Sequence, residues 1–373
     1  MKSYTNYFLL SILLLGCLVD TAWAQSMLFD TDKMQVRVDT YGAMRFWTIE
    51  GVDTVQHLNR VNILVAGNQN QVLDYWNDVD VEIPTALVTN PMLSDFEISG
   101  TYNNAFSGLP PNVIVDQNVY AWQDGRFALV KMVVTNAETS DLPTIVGLDV
   151  VQYMDFTWED DNVFWDATNQ MLVQFESHYA GIKYLSEAVT SAQVLTWYDG
   201  YSSDDPTTYA LLTEGTFDTD TLTTTPDGAV SFLAGQSVIL SPQQSRTVYI
   251  AVSLGADQTE MLANMQLAQQ KYNQIVSVES DLNNIPTNFT LDQNYPNPFN
   301  PSTQISFGLP FRSNVVLKIF NTLGEEVAEL VNGSLEAGTH SFNFDASNLT
   351  SGIYIYSLQT DAGVISKKMT LIK

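Results

Sequence analysis

The sequence predicts an all-β protein that consists of a large multi-stranded β-sandwich followed by a second, smaller β domain. Three observations lead to this fold class. Apolar and polar residues alternate over many short segments, of which MQVRVDTYG (residues 34–42) is a clear example. Turn-forming clusters such as LPPN and TPDG separate these segments. One stretch, residues 257–276, instead shows the apolar spacing of an amphipathic helix.

The N-terminus has the three parts of a cleavable signal peptide. Lys2 supplies a positive charge, residues 7–19 form an apolar core, and residues 22–24 (AWA) place small residues where signal peptidase cuts. We expect residues 1–24 to be removed and the mature chain to have no membrane span, because no other apolar stretch is long enough. A second interpretation stays open, since residues 14–17 (LLGC) resemble a lipoprotein box in which Cys17 is lipidated.

The chain is strongly acidic, with 42 acidic residues, 15 basic residues and a net charge of −27. Nearly all of this excess lies in residues 27–288. Such a field repels nucleic acid and anionic lipid, so we expect no nucleic-acid partner. Cys17 is the single cysteine, which excludes an intrachain disulfide and a thiolate metal site.

The large β-sandwich is predicted over residues 27–256, where alternating segments and turns follow one another. A helix is predicted over residues 257–276, and Asp257 and Glu260 can form its capping box. We expect its apolar stripe to pack against the sandwich, with a partner protein as the alternative. The stripe consists of Met261, Met265, Ala268, Tyr272 and Ile275. Polar, aperiodic residues over 277–290 predict a linker.

An acidic loop within the large sandwich is the strongest candidate for a binding site in that domain. Ca²⁺ takes about six to eight oxygen ligands, and the loop is rich in carboxylates. The candidate cation ligands are Asp155, Glu159, Asp160, Asp161 and Asp166. Trp158 and Trp165 lie in the same loop and are candidates for stacking on glycan rings. Plainer interpretations remain, in which the carboxylates are solvated and the rings belong to the core.

A proline-rich stretch, LDQNYPNPFNPST (residues 291–303), precedes the smaller domain. Proline lacks a backbone N–H, fixes its own φ and pushes the preceding residue toward an extended conformation. Pro296, Pro298 and Pro301 therefore predict a semi-rigid, extended lead-in, with Tyr295 and Phe299 as anchors against the domain that follows. The alternating segments after it predict a small Ig-like β-sandwich.

Residues 289–373 resemble the type A C-terminal sorting domain of the type IX secretion system, which occurs in Bacteroidota and related bacteria. The stretches that carry the resemblance are FTLDQNYPNPFNPSTQISFGLP, VVLKIFNTLGEEVAELV, EAGTHSFNFDASNLTSGIYIYSLQT and the terminal SKKMTLIK. The residues that it marks as sorting recognition elements are Asn294, Pro296, Asn297, Pro298, Phe299, Asn300, Pro301, Gly324, Gly352, Tyr354, Lys367, Lys368 and Met369. Gly324 and Gly352 also suit turns, and Tyr354 also suits the core.

The resemblance implies an export route and two partners. It implies that a sorting domain over residues 291–373 is recognised by the outer-membrane translocon and removed by the C-terminal signal peptidase of that system. The rest of the chain is then released or held at the cell surface. The middle of the chain, including residues 118–162, resembles β-sandwich regions that precede this sorting domain in secreted bacterial proteins of unassigned function.

The sequence contains none of the common catalytic or nucleotide-binding signatures, such as GxSxG, HExxH or a phosphate-binding loop. His57 and His178 lie far apart in unrelated sequence contexts, so a zinc triad is not expected. We therefore favour a non-catalytic exported protein that binds glycans, cations or partners, or has a structural role. The alternative is a polysaccharide-active enzyme that uses paired carboxylates of residues 27–256.

Overall fold

The structure is a computed structural model that describes most of the chain after the predicted signal peptide. The described residues are 26–75, 77–154, 159–197, 204–224, 228–283, 286 and 288–373. Within them the chain is mostly β-strand, which confirms the predicted all-β class. Two compact units can be distinguished, one that ends at Tyr272 and one that spans Asn273–Lys373. We call them the large sandwich and the C-terminal module.

Among the described residues, seventeen strands belong to the large sandwich. They are β1 Met27–Asp30, β2 Met34–Val38, β3 Met44–Glu50, β4 Asp53–Asn68, β5 Gln71–Leu73, β6 Asp80–Leu87, β7 Phe96–Asn103, β8 Val113–Ala121, β9 Phe127–Asn136, β10 Leu142–Gln152, β11 Asn162–Asp166, β12 Met171–Phe175, β13 Tyr179–Tyr184, β14 Ser191–Thr196, β15 Leu222–Thr223, β16 Ala229–Leu240 and β17 Ser245–Gly255. The eight-stranded sheet has the order β1-β2-β3-β4-β10-β16-β14, with β5 paired to β4. The nine-stranded sheet has the order β15-β11-β12-β13-β17-β9-β8-β7-β6.

The main core lies between these two sheets. Phe46 and Val61 of the eight-stranded sheet and Val130 and Val252 of the nine-stranded sheet belong to one apolar cluster, and all four are 0% exposed. They come from alternating positions, because successive side chains of a strand point to opposite faces. Burial of each such side chain stabilises the fold by roughly 1.5–3 kcal/mol. The alternation in the sequence therefore decides which face of each sheet points inward.

Helix α1, Asp205–Thr213, covers part of the outer face of the eight-stranded sheet. Leu212 packs there in a second apolar cluster that includes Leu64 and Phe232. The sequence analysis predicts no helix at this position, because the helix is short and has no long apolar stripe. Its start signal is nevertheless present: the Asp204 carboxylate accepts a 2.9 Å hydrogen bond from the backbone N–H of Thr207, and a proline lies in the first turn.

Helix α2, Gln258–Asn283, begins with the predicted cap. The Glu260 N–H donates to the Asp257 carboxylate at 2.9 Å, and the Glu260 carboxylate accepts from the N–H of Ala256 at 2.8 Å. On the stripe, Met261 and Ala268 are 0% exposed, and Met261 lies beside Gly181 of β13.

Helix α2 continues to Asn283 rather than ending at residue 276, so it includes the first part of the predicted linker. Residues 277–283 contain neither glycine nor proline, and the first proline after them is Pro286. Polar composition alone did not end the helix, because polar residues without such breakers are compatible with helical backbone.

The described part of the C-terminal module has seven strands in two sheets. They are β18 Thr290–Leu291, β19 Ser302–Leu309, β20 Ser313–Phe320, β21 Glu326–Leu335, β22 Gly338–Asp345, β23 Gly352–Thr360 and β24 Gly363–Leu371. The sheet orders are β18-β19-β22 and β21-β20-β23-β24. Ile305 and Phe307 from the first sheet and Leu317 and Tyr356 from the second share one buried cluster. The module therefore has its own core.

Candidate functional site

The proline-rich lead-in of the C-terminal module is fixed by one buried asparagine. Asn294 is 1% exposed, and its backbone N–H donates to the Tyr356 hydroxyl at 3.0 Å. Its side-chain amide donates to the Thr303 hydroxyl at 3.0 Å and to the Pro296 carbonyl at 3.1 Å, and its Oδ1 accepts from the Gln293 amide at 2.7 Å. Each polar group of the side chain therefore has a partner. The prolines of the lead-in lack backbone N–H groups, and the hydrogen bonds of Asn294 fix the segment in their place.

The lead-in runs beside the end of β24. The Phe299 N–H donates to the Thr370 carbonyl at 2.9 Å, and the Ile372 N–H donates to the Phe299 carbonyl at 3.0 Å. The Thr370 N–H donates to Oδ1 of Asn297 at 2.9 Å, and the Gln293 amide donates to the Lys368 carbonyl at 2.9 Å. The structure thus brings the predicted recognition residues of the lead-in next to those near the C-terminus, although most of the module separates them in the sequence.

The two predicted aromatic anchors of the lead-in differ. Phe299 is 2% exposed and lies in the core of the module near Phe344, as predicted. Tyr295 is 81% exposed, so its prediction as an anchor was wrong. The backbone of Tyr295 pairs with Gln304, with an N–H to carbonyl bond of 3.0 Å in each direction, and this pairing points the ring away from the core.

The other predicted recognition residues divide between surface and core. Those exposed are Pro296, Asn297, Pro298, Asn300, Gly324, Gly352 and Lys368; Pro301 and Lys367 are half-buried; Tyr354 and Met369 are buried. Gly324 has φ +83° in the turn before β21, a conformation that favours glycine. The Tyr354 hydroxyl donates to the Thr350 carbonyl at 2.8 Å, which fits a structural role. A partner protein can therefore reach the prolines and Lys368 but not the buried side chains.

The acidic loop of the large sandwich uses two of its carboxylates to hold its own fold. Asp161 is 0% exposed and accepts a 2.9 Å hydrogen bond from the Gln174 amide. Asp166 accepts from the N–H groups of Thr168 at 2.9 Å and Asn169 at 3.0 Å, which closes a tight turn.

The other members of the predicted cation site do not complete it within the described chain. Glu159 and Asp160 are exposed, and Asp155 lies outside the described residues. Over the ranges that the structure describes, no group of three or more histidine, cysteine, aspartate or glutamate side chains could hold a metal ion. The Ca²⁺ site remains a prediction from the sequence.

The two tryptophans of the acidic loop have different outcomes. Trp165 is 2% exposed, and its ring lies 5.3 Å from that of Phe217 between centroids. Its alternating position on β11 points it into the core, so it offers no accessible face to a sugar in this structure. Trp158 lies outside the described residues, so its role in glycan stacking remains a prediction.

The structure brings His57 and His178 together, although the sequence placed them in unrelated contexts. Their rings are 5.4 Å apart between centroids, and His57 is 0% exposed. His57 Nε2 lies 3.0 Å from the Thr48 hydroxyl, and His178 Nε2 lies 3.3 Å from a Glu50 carboxylate oxygen. Burial, with the charges of His178 and Arg126, lowers the pKa of His57 to about 3. No sequence motif could reveal this pair, because β-strand pairing alone brings it together.

These features define the class of protein: an all-β chain whose C-terminal module carries a rigid, proline-rich lead-in bonded to its last strand. Residues 293–373 match the family described as the secretion system C-terminal sorting domain. This match confirms the predicted sorting domain and indicates that the chain is exported. In the described part of the chain, no helix is long and apolar enough to cross a membrane.

Comparisons over the rest of the chain give weaker results. A search of curated proteins gives no match. A bacterial glucoamylase in complex with acarbose is 11% identical with a TM-score of 0.47, over 68% of this chain and 36% of its own. A polysaccharide lyase is 8% identical with a TM-score of 0.35, over 91% of this chain and 46% of its own. The Slr1438 protein of Synechocystis is 9% identical with a TM-score of 0.41, over 66% of this chain and 100% of its own.

This chain therefore spans less than half the length of the first two of these proteins. Identities and TM-scores as low as these carry no argument about what the large sandwich does.

Proposed function

We propose that this protein is exported by the type IX secretion system and that its large sandwich is a non-catalytic binding or structural domain at the cell surface or in the medium. The observation that carries the export part is the sorting-domain match over residues 293–373. The translocon recognises the module, and the C-terminal signal peptidase of the system removes it. The exposed prolines of the lead-in and the neighbouring Lys368 form the surface that the translocon contacts.

The non-catalytic part is supported by how the carboxylates are used. Glycosidic chemistry needs two carboxyl groups that face a substrate across an open space. In the acidic loop, Asp161 is buried against Gln174 and Asp166 closes a turn. On the outer face of the eight-stranded sheet, Asp149 is paired with Arg60 at 2.7 Å. These carboxylates stabilise the fold, and binding needs no such pair.

Deletion of residues 289–373 tests the export route. We expect the shortened chain to remain in the periplasm, whereas the full chain reaches the surface or the medium. A full chain that carries Arg312→Gln, at an exposed position of the module outside the predicted recognition set, serves as a folded control. Mass spectrometry of the exported form should also find a new C-terminus within residues 277–290. Arrival of the shortened chain in the medium would show that the module is not required for export.

A panel of polysaccharides tests the non-catalytic role. The purified chain is incubated with each glycan, with and without Ca²⁺, and both retention and new reducing ends are measured. Retention without cleavage is expected from a glycan-binding protein. New reducing ends would overturn the proposal in favour of a polysaccharide-active enzyme, and retention that depends on Ca²⁺ would support the predicted cation site.

A further inference from the structure

An open groove lies at one edge of the large sandwich, where the chain crosses from one sheet to the other. Strand β14 is outermost in the eight-stranded sheet, and β15 is outermost in the nine-stranded sheet. Residues 214–221 connect α1 to β15, and we call them the crossing segment. The Ala192 N–H of β14 donates to the Thr216 carbonyl at 2.9 Å, and the Trp165 N–H of β11 donates to the Asp218 carbonyl at 2.7 Å. The crossing segment is therefore bonded to both sheets.

The groove is large enough for a small ligand. Its volume is 610 Å³, within the range of about 300–1,000 Å³ that is usual for ligand sites. Side chains of β14, of the last turn of α1, of the crossing segment and of β15 line it. The large sandwich thus has an opening to solvent at this edge.

Part of the groove is apolar. Leu195, Leu211 and Leu222 are half-buried there, and Phe217 is 36% exposed. The Phe217 ring lies 5.3 Å between centroids from the ring of Trp165, which is buried, so this contact holds Phe217 in place. A fixed aromatic ring beside aliphatic groups suits the C–H face of a sugar ring, because little freedom is lost when the sugar packs on it.

The charged groups of the groove are all carboxylates. Glu214 and Asp220 are exposed and form no hydrogen bond or ion pair with a described residue. Asp218 uses Oδ2 to accept from the Val194 N–H at 2.8 Å, which leaves Oδ1 for a ligand. No lysine, arginine or histidine is among the described residues that line the groove. The groove therefore attracts a positively charged ligand.

A buried amide supplies an acceptor that the fold does not use. Gln193 is 5% exposed and lines the groove. Its Nε2 donates to the hydroxyl of Thr216 at 2.7 Å and to the carbonyl of Thr216 at 3.0 Å, so the orientation of the amide is fixed. Its Oε1 accepts no hydrogen bond from a described residue. Buried polar groups usually have partners, so this oxygen indicates a donor that a ligand brings.

Backbone pairing along β14 disfavours a peptide that would bind as an added strand. The Asp218 N–H donates to the Ala192 carbonyl at 3.0 Å, and the Asp218 carboxylate takes the Val194 N–H. The crossing segment thus covers the edge that an extended peptide would need. Thr219 and Thr221 are exposed and add hydroxyl groups, which suit a ligand with several hydroxyl groups of its own.

We propose that the groove binds a short stretch of a glycan that carries free amino groups, such as a chain of glucosamine units. The proposal rests on the proposed function, because it gives the ligand class of a non-catalytic binding domain. A protonated amine pairs with the carboxylates of Glu214 and Asp220, and one sugar ring packs on Phe217. Gln193 Oε1 accepts from a hydroxyl of the sugar. An N-acetylated sugar has the same ring but no positive charge, so it should bind more weakly.

The test measures binding of a glucosamine trisaccharide to the purified chain by calorimetry and by ligand-observed NMR, slightly below neutral pH so that the amines are protonated. The N-acetylglucosamine trisaccharide and trilysine are the comparison ligands. We expect the glucosamine trisaccharide to bind more tightly than either of them.

Single substitutions place the ligand in the groove. Asp220→Asn and Glu214→Gln should each weaken binding of the glucosamine trisaccharide by about fivefold, because each removes one charge-assisted pair at an exposed position. Neither side chain has a partner among the described residues, so both variants should keep the wild-type melting temperature. The matched control is Asp53→Asn, at an exposed carboxylate at the start of β4 outside the groove, which should leave the affinity unchanged.

Each other outcome overturns part of the proposal. Absence of binding, or equal affinities of wild type, Asp220→Asn and Glu214→Gln, would rule out the groove as the site. Equal binding of the two trisaccharides would overturn the assignment of an amino group. Trilysine that binds as tightly as the glucosamine trisaccharide would make the groove a site for basic peptides and overturn the sugar assignment. New reducing ends in the polysaccharide panel would instead overturn the non-catalytic proposal while leaving the binding result intact, so the two failures are distinguishable.

Discussion

Two buried asparagines, one in each unit, are hydrogen-bonded to different extents. Asn294 in the C-terminal module is 1% exposed, and each of its amide groups has a partner. Asn62 in the large sandwich is 2% exposed, and its side chain contacts the carboxylate of its register partner Asp149, which is also paired with Arg60. A buried amide whose groups all have partners stabilises a fold, whereas one with fewer hydrogen bonds contributes less.

The partners of these two residues also differ in sequence separation. Asn294 bonds mainly to residues of its own lead-in, including Thr303, so a short stretch of sequence contains most of the arrangement. Asn62 of β4 lies opposite Asp149 of β10, and only strand pairing brings the two together. Structural roles built from neighbouring residues leave a readable motif, and sites assembled across a sheet do not.

The largest effect should come from the satisfied asparagine. Asn294→Ala removes three side-chain hydrogen bonds and leaves buried polar groups without partners, so we expect the unfolding free energy of the C-terminal module to fall by about 3 kcal/mol. Hydrogen exchange of the β24 amides in urea measures this change. Asn300→Ala, at an exposed position of the same lead-in, is the control and should change little. Equal stability of both variants would remove Asn294 from its central role.

His57 is intermediate between the two asparagines, because one ring nitrogen has a partner and Nδ1 has none among the described atoms. Its pKa is lowered to about 3 in the folded chain, so the unfolded chain takes up a proton first as the pH falls. The stability that neutral His57 contributes is full above about pH 6.5 and is lost toward pH 3, at about 1.4 kcal/mol per pH unit.

Denaturant unfolding of the large sandwich at pH 6.5 and pH 5 checks this prediction. We expect a loss of about 2 kcal/mol in the wild type between these two values. His57→Gln keeps a partner for Thr48 but cannot titrate, so its loss should be smaller by that amount. The same slope in both proteins would assign the pH dependence to other groups.

The smallest effect on stability is expected at Asn62. Asn62→Leu replaces a buried amide in contact with Asp149 by an apolar side chain of similar size, and Asp149 keeps its ion pair with Arg60, so the unfolding free energy should stay within about 1 kcal/mol of wild type. Asn264→Leu is the matched control: Asn264 is buried, donates to the Leu254 carbonyl at 2.8 Å and accepts from the Arg126 N–H at 3.3 Å. That variant should lose about 2 kcal/mol. A comparable loss for Asn62→Leu would show that Asn62 has a structural role after all.

Local patterns in the sequence were sufficient for much of the fold. Alternation predicted the all-β class, and the cap formed by Asp257 and Glu260 forms as expected. Helix α1 was missed, because its only signals are a cap and a proline. Helix α2 runs further than predicted, because no glycine or proline stops it before residue 284.

The candidate sites were less predictable. The sorting residues could be identified because they form contiguous motifs, although exposure of Tyr295 depends on a backbone pairing with Gln304 that composition does not show. The density of carboxylates in the acidic loop predicted a cation site, yet Asp161 and Asp166 have local structural partners. The approach of Arg60 on β4 to Asp149 on β10 gives no sequence signal, because alternation predicts which residues face outward but not which strands are neighbours.

The bonds between the lead-in and β24 also affect how the module behaves toward other copies of itself. An uncovered strand edge is a template on which a strand of another molecule can pair, which leads to aggregation. Here the lead-in occupies the carbonyl of Lys368 and backbone groups of Thr370 and Ile372. The prolines of the lead-in supply no donors of their own for a further strand. The lead-in thus covers the edge of β24 and prevents it from pairing with strands of other copies during export.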